Sequence, residues 1–259
     1  MNSVKFDSVH NSSLSNASQS VGIAQSVSQE KISNPIRVLC FSDILCVWAY
    51  IAQIRFDELK STFQDQIVID NYFTPVFGDA HRKLEKRWQN RGGLKGYNQH
   101  VREVAAKFTH VTVHPEVWIN NPPTSSTSCH LFLRAIKLLE DKRLVQCGDG
   151  KSVFEKATWL MRERFFTQTA NVSDRKVQFE IAEELALPVN RIEDQINNGE
   201  AYAELSRDFQ LVKEYTVTVS PTMIFNEGRQ RLNGNVGYRV MEANIRELLA
   251  NPQGEQSWC

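Results

Sequence analysis

The chain has 259 residues, 41% of them hydrophobic and 10% aromatic, enough for one large domain or two small ones with a sizeable core. Thirty basic and thirty acidic side chains cancel to a formal net charge of zero, which leaves no strong field to steer nucleic acid or an anionic membrane surface. No run approaches the roughly 20 apolar residues of a membrane span, and five cysteines without a C-x-x-C pair argue against a disulfide framework and a zinc finger.

Residues 1–34 are rich in Ser, Asn, Gln and Val and lack the charged start and apolar stretch of a secretory signal. They read as a flexible tail, and the expected location is cytoplasmic. Residues 36–41 form a short, nearly continuous apolar run that suits a buried central strand. The stretch Phe41-Ser42-Asp43-Ile44-Leu45-Cys46-Val47-Trp48-Ala49-Tyr50 then turns into a helix. Its apolar positions recur at Ile51, Ala52, Phe56, Leu59 and Phe63, in steps of three and four. Residues 66–73 read as a second strand, so the opening segment predicts a right-handed, parallel βαβ unit.

Residues 77–113 are polar and basic, with Gly92-Gly93 and Gly96 in their middle, and predict a mixture of helix and loop. After Asn121-Pro122-Pro123, Ser128 is placed to cap a helix carrying Leu131, Phe132, Ala135, Leu138 and Leu139 inward. Ser152-x-x-Glu155 has the form of a capping box. Ser173 opens a further helix that ends before Pro188, and Asn190-x-x-Glu193 opens a short one ending near Gly199. A last helix of this group runs to Tyr215. Strand signals return at residues 216–219 and 222–225, with residues 230–232 as a hairpin partner across Glu227-Gly228. A final helix with Val240, Met241, Ile245, Leu248 and Leu249 inward stops at Asn251-Pro252.

Two features carry chemistry. Cys46 stands where strand gives way to helix, beside unpaired backbone N–H groups and the positive end of the helix dipole, a seat that favours the thiolate. A depressed Cys46 pKa is therefore expected. Val219-Ser220-Pro221-Thr222 sets a proline just before a short strand. A cis bond there would expose the backbone edge at Val219, where an extended peptide or glutathione could pair like an added strand.

With these residues in place the chain resembles the DsbA-like branch of the thioredoxin superfamily, which includes FrnE-like proteins, kappa-class glutathione transferases and 2-hydroxychromene-2-carboxylate isomerases. The resemblance rests on Phe41-Ser42-Asp43 with Cys46-Val47-Trp48, and on Cys129-His130-Leu131 after Pro122-Pro123. Ser220-Pro221-Thr222 and Asn233-Gly234-Asn235-Val236-Gly237-Tyr238 complete it. It implies an α/β fold: a thioredoxin domain (residues 35–76 and 209–251) interrupted by a helical insertion (residues 77–208), with tails at 1–34 and 252–259.

The sequence departs from the family pattern at two points. Val47 and Ala49 replace the proline and second cysteine of the FrnE-like Cys-Pro-Trp-Cys, while Cys46 stands where kappa transferases and the isomerases carry serine. A mixed disulfide on Cys46 then needs an outside thiol such as glutathione, or another cysteine, for release. The implied activity is a single-cysteine thiol–disulfide oxidoreductase or isomerase with no bound cofactor and with glutathione as co-substrate. Its partners would be glutathione or a thiol or disulfide substrate, with no nucleic acid and no membrane, and with a homodimer left open. Two other readings also stand: a kappa-like glutathione transferase or isomerase, and a non-catalytic peptide- or partner-binding module.

Each candidate residue has a plainer reading beside it. Cys46 reads as nucleophile or as a small core residue, and Trp48 as a wall of the substrate groove or a helix anchor. His130 reads as a family site histidine or a packing residue. Val219, Ser220, Pro221 and Asn235 are assigned to substrate or glutathione binding. Lys83, Lys86, Arg87 and Arg91 form a basic run, read as a solvated helix face or a contact for glutathione carboxylates. No metal site is expected: His110-x-x-x-His114 lies among strand- or loop-like residues and lacks a third ligand. Cys40, Cys129 and Cys147 read as packing. Cys259 ends a tail that could in principle reach and resolve Cys46.

Overall fold

The computed structural model describes residues 35–147 and 151–250. The expectations for the two tails, Cys259 among them, lie outside the described residues. The chain opens with β1 (Ile36–Ser42), α1 (Val47–Phe63) and β2 (Ile67–Phe73). Seven helices follow before the next strand: α2 (Ala80–Trp88), α3 (Gly93–Ala105), α4 (Thr127–Asp141), α5 (Val153–Gln168), α6 (Arg175–Glu184), α7 (Val189–Asn197) and α8 (Glu200–Glu214). Then β3 (Thr222–Phe225), β4 (Gln230–Asn233) and α9 (Tyr238–Ala250) close the described chain.

The sheet order is β2-β1-β3-β4. β1 runs parallel to β2, with Leu39 opposite Asp70, and antiparallel to β3, with Leu39 opposite Ile224; β3 and β4 form an antiparallel hairpin. The two-residue period of the strands sorts their side chains onto two faces. Val38, Cys40, Met223 and Phe225 meet α1 and α9 through Phe56, Leu59, Met241 and Ile245. Leu39, Phe41 and Ile224 meet Leu211, Val212 and Tyr215 around the end of α8. A separate, larger core joins the other face of α1 to the helical block through Ile51, Phe132, Phe165 and Phe166.

Several sequence expectations shift. Residues 216–219 form no strand: the Val217 N–H bonds back to Val212 O at 2.8 Å, and the chain then passes through a cis Ser220–Pro221 bond. The cap of α4 is Ser126 rather than Ser128, and that of α6 is Asp174 rather than Ser173. Aspartate accepts the first-turn N–H of Lys176 at 3.0 Å, which frees the Ser173 hydroxyl to bond Ser125 O. α7 starts at Val189, directly after Pro188. Ser152 does cap α5, accepting the Glu155 N–H. The polar stretch 77–113 resolves into α2 and α3, joined by a turn with positive φ at Gly92 and Gly93. Gly96 has no substitute there, because a Cβ would fall 1.7 Å from Arg91 O.

One buried ion pair fastens the helical block to the sheet. Arg134 of α4 grips Asp208 of α8 through Nε (2.8 Å) and Nη2 (2.7 Å), and Nη2 also donates to Asn71 O on β2 at 2.7 Å. Asp208 in turn accepts the Phe73 N–H at 3.1 Å, so the pair covers the otherwise open edge of β2. Removing one partner strands a buried charge, at a cost of about 3–5 kcal/mol. Arg134→Leu and Asp208→Leu should each lower the unfolding free energy in urea by about that amount. The double variant should cost clearly less than the sum of the two; strict additivity would show that the pair is not coupled.

Candidate active site

Cys46 is the N-cap of α1, with extended backbone (φ −86°, ψ 116°). Its amide bonds Asp43 O at 3.2 Å, and its carbonyl accepts the first helical N–H groups from Ala49 and Tyr50, both at 3.1 Å. The thiol points across the turn and donates to Ser220 O at 3.2 Å. Cysteine, helix start and cis Ser220–Pro221 bond therefore meet, as the sequence spacing alone could not require.

Asp43 holds this arrangement. Its carboxylate accepts the Leu45 N–H (2.9 Å), the Phe77 N–H (2.8 Å) and the Ser126 hydroxyl (2.7 Å), while its amide donates to Ser220 Oγ at 2.9 Å. Burial pushes the Asp43 carboxyl up to about 6, against the pull of those donors. His130, from the first turn of α4, stacks on Phe73 with ring centroids 4.4 Å apart. Its Nε2 accepts the Ile44 N–H at 3.3 Å, which puts the proton on Nδ1, and Nδ1 finds no partner among the described residues. Burial, aided by Arg134 and Arg162, drives the His130 pKa down to about 3. The imidazole thus props the turn before Cys46 in neutral form, out of reach of the cavity below.

Cys46 opens onto a cavity of about 790 Å³. Trp48, Val219, Ser220 and Asn235 also line it. Pro221 is buried behind Ser220, and its carbonyl accepts the Gly234 N–H at 2.7 Å, which ties the cis bond to the Asn233-Gly234-Asn235 turn. Asn235 Oδ1 takes a hydrogen bond from Arg55, and Trp48 meets Phe108 edge to face at 6.3 Å.

The far wall comes from α2 and α3 and supplies Lys83, Arg87, Trp88, Tyr97 and His100. No Asp or Glu among the described residues lines the cavity. Of the basic run, the pair at i and i+4, half-buried Lys83 and exposed Arg87, lines the cavity, while Lys86 and Arg91 are exposed and are not part of the lining. Trp88 of α2 and Tyr97 of α3 were not singled out in the sequence, where residues 77–113 read only as a mixture of helix and loop. Lys83 bonds Val76 O and lies 4.6 Å over the Phe77 ring, and burial lowers its pKa, opposed in part by Asp43 and Cys46.

The Cys46 thiol departs from expectation. The amides of Ala49 and Trp48 and the Ser220 hydroxyl do favour the thiolate, as the helix-start argument requires. Burial outweighs them, with Asp43 adding to it, and the net shift is upward. The residue is only 6% exposed, so a thiolate there loses most of its hydration. Of the other thiols, Cys40 is pushed up to about 12 by burial, Cys129 donates to Val172 O, and Cys147 is half-buried. His110 bonds Ile51 O and His114 accepts the Glu116 N–H, and no cluster suited to a metal ion occurs among the described residues.

A family model for the DSBA-like thioredoxin domain matches residues 37–246. The chain belongs to that family. As a DSBA-like protein it is 24% identical over 233 residues to the ClpXP adapter protein SpxH of Halalkalibacterium halodurans, covering 85% of this chain and 70% of that one. Its fold superposes on a Nitrosomonas europaea protein provisionally described as a protein disulfide isomerase, with a TM-score of 0.65 at 14% identity over 84% of this chain and 98% of that one. It also superposes on the cytosolic disulfide reductase DsbM of Pseudomonas aeruginosa, with a TM-score of 0.55 at 13% identity over 82% and 100%. DsbM has also been solved with GSH. No helix among the described residues of this DSBA-like chain is long and apolar enough to cross a membrane.

Two outcomes follow from the titration of this site. The rate of Cys46 alkylation by iodoacetamide should rise with pH through a midpoint above the ~8.5 of an ordinary thiol; a plateau reached below pH 7 would contradict the burial argument. The ring resonances of His130 in an NMR titration should keep their neutral positions from pH 8 down to pH 5, and a midpoint near 6.5 would show a solvated imidazole instead. The same gap has a sign in stability. The unfolded chain takes the His130 proton near 6.5 and the folded chain only near 3, so the stability owed to a neutral His130 grows as pH rises through that span.

Proposed function

We propose that this DSBA-like protein is a monothiol thiol–disulfide oxidoreductase or isomerase that works with glutathione. One observation carries the reading: the Cys46 thiol lies 3.2 Å from the carbonyl before a cis proline, in a cavity lined by Lys83 and Arg87 and, among the described residues, by no carboxylate. The two cations suit the carboxylates of a small anionic thiol or disulfide. The amides of Val219 and Ser220 make no hydrogen bond among the described residues, which leaves them for an extended substrate backbone.

In the first step the Cys46 thiolate attacks one sulfur of a disulfide. A Cys46–substrate disulfide forms, the substrate's own S–S bond breaks, and the leaving thiolate takes up a proton. Ala49 offers no resolving sulfur, so a glutathione thiolate attacks the substrate sulfur of the mixed disulfide and frees Cys46 as thiolate. The net change exchanges one substrate thiol for glutathione. A raised thiol pKa lowers the thiolate fraction but raises the reactivity of each thiolate, so turnover should climb with pH.

Incubation with glutathione disulfide should leave a mixed disulfide on Cys46, detected by peptide mass spectrometry and absent in Cys46→Ser. The double variant Lys83→Ala/Arg87→Ala should need roughly tenfold more glutathione disulfide for half-maximal labelling, about 1.4 kcal/mol in binding. Labelling confined to other cysteines would defeat the reading. The relative named as a ClpXP adapter supports a second one, a partner-binding module. The exposed Val219 beside unspent amides favours a peptide strand as its ligand. That reading gains if Cys46 resists labelling while Val219→Asp weakens capture of an extended peptide.

A further inference from the structure

Arg162 of α5 is a buried cation without an acid. It is 2% exposed, yet no carboxylate among the described residues lies within ion-pairing distance; burial lowers its pKa, and Asp43 and Asp57 act on its charge only from beyond that distance. Its Nη1 donates to Gln53 Oε1 on α1 at 2.8 Å, and its Nη2 to Ser42 Oγ on β1 at 3.2 Å. Its Nε has no partner among the described residues. The contrast with Arg134, which holds Asp208 through two hydrogen bonds, is internal to the same molecule. A guanidinium does not lose its proton in a protein, and a buried charge calls for a counter-charge.

Beside Arg162 lies a cavity of about 20 Å³, distinct from the one at Cys46 and lined also by Cys40, Ser42, Gln53, Asn71 and Thr158. That volume holds one water or one small ion. The polar groups around it are biased toward donors. Ser42 accepts from Arg162, and its own proton is not spent within the described residues. Neither is the Asn71 side-chain amide, since only the Asn71 backbone carbonyl is engaged by Arg134. The Cys40 thiol, pushed up to about 12 by burial, stays protonated. Thr158 has turned its hydroxyl to Phe154 O, and the Gln53 amide to Asp57. One carboxylate, Glu155, also lines the cavity, and it is paired with Lys60, which lines it too.

We propose that this pocket is a binding site for a small monovalent anion of halide size, with Arg162 as its counter-charge. The anion would join β1, α1 and α5 through one centre. The site is separate from the thiol chemistry proposed for Cys46 and stands or falls without it.

Bromide is the probe. Crystals of the full chain soaked in sodium bromide should give an anomalous peak within hydrogen-bonding distance of Arg162. In solution, sodium chloride or bromide should raise the thermal midpoint by about 2–4 °C over sodium gluconate at equal ionic strength, saturably. Arg162→Met should abolish the difference between the salts. Equal midpoints in all salts with no peak at Arg162 would overturn the proposal and leave water as the occupant. A peak without any solution effect would mean binding at crystal concentration only, which also overturns it. A halide effect that survives in Arg162→Met would place the ion elsewhere. If that variant fails to fold, the peak and the salt series on the parent protein together decide.

Discussion

The site is organised by the buried side chain of Asp43. Four segments converge on this residue: the turn that carries Cys46, the exit from β2 at Phe77, the start of α4 at Ser126, and the cis-proline loop at Ser220. Each donates a hydrogen to it or receives one from it. A carboxylate in the interior is costly to hold, and its raised pKa reports that cost. Three hydrogen bonds to the carboxylate offset it, and the fourth, from the Asp43 amide to Ser220 Oγ, ties the cis-proline loop to the same residue. The same negative charge works against ionisation of Cys46, so the group that positions the sulfur also restrains it.

Much of the fold was legible in the residues. The apolar run 36–41 and the three-and-four spacing after Trp48 announced β1 and α1, because periodic burial is written directly into sequence. The cis-proline strand–hairpin–helix ending was legible for the same reason, together with the turn at Glu227-Gly228. Residues 216–219 misled because Val217 and Val219 alternate as a strand would. The Val217 N–H is spent closing α8 and the chain then turns into the cis bond, a tertiary demand that alternation does not encode. Helix starts shifted by one or two residues where several hydroxyls and a carboxylate competed for one cap, as at Ser173 and Asp174.

The site was legible in part. Cys46, Ser220 and Asn235 came from position in the pattern, and they do share one cavity. The role of Asp43 was hidden because its four partners lie far apart in the chain, up to residue 220. The charge of the opposite wall was half visible: the basic run was noticed, but only a folded helix shows that Lys83 and Arg87 line the cavity together. The acidity of Cys46 was misjudged for a plain reason. The helix start was correctly placed, whereas the degree of solvent exclusion around the sulfur depends on packing by residues from α2, α3 and the cis-proline loop.

The ion pair between Arg134 and Asp208 has a mechanical consequence. Asp43 binds the head of α4 at Ser126; α4 reaches α8 through Arg134 and Asp208; the end of α8 is closed by Val217; and Ser220, three residues on, returns to Asp43. The path is a closed ring; the carbonyl of Ser220 sits on it, and the sulfur is hydrogen-bonded to that carbonyl. Such a ring cannot widen at one point without breaking a link elsewhere. The α2–α3 hairpin stands outside this ring while forming the opposite side of the cavity, and that side is held instead by its own links, Asn98 Nδ2 to Pro115 O and the Ala80 N–H to Thr124 O.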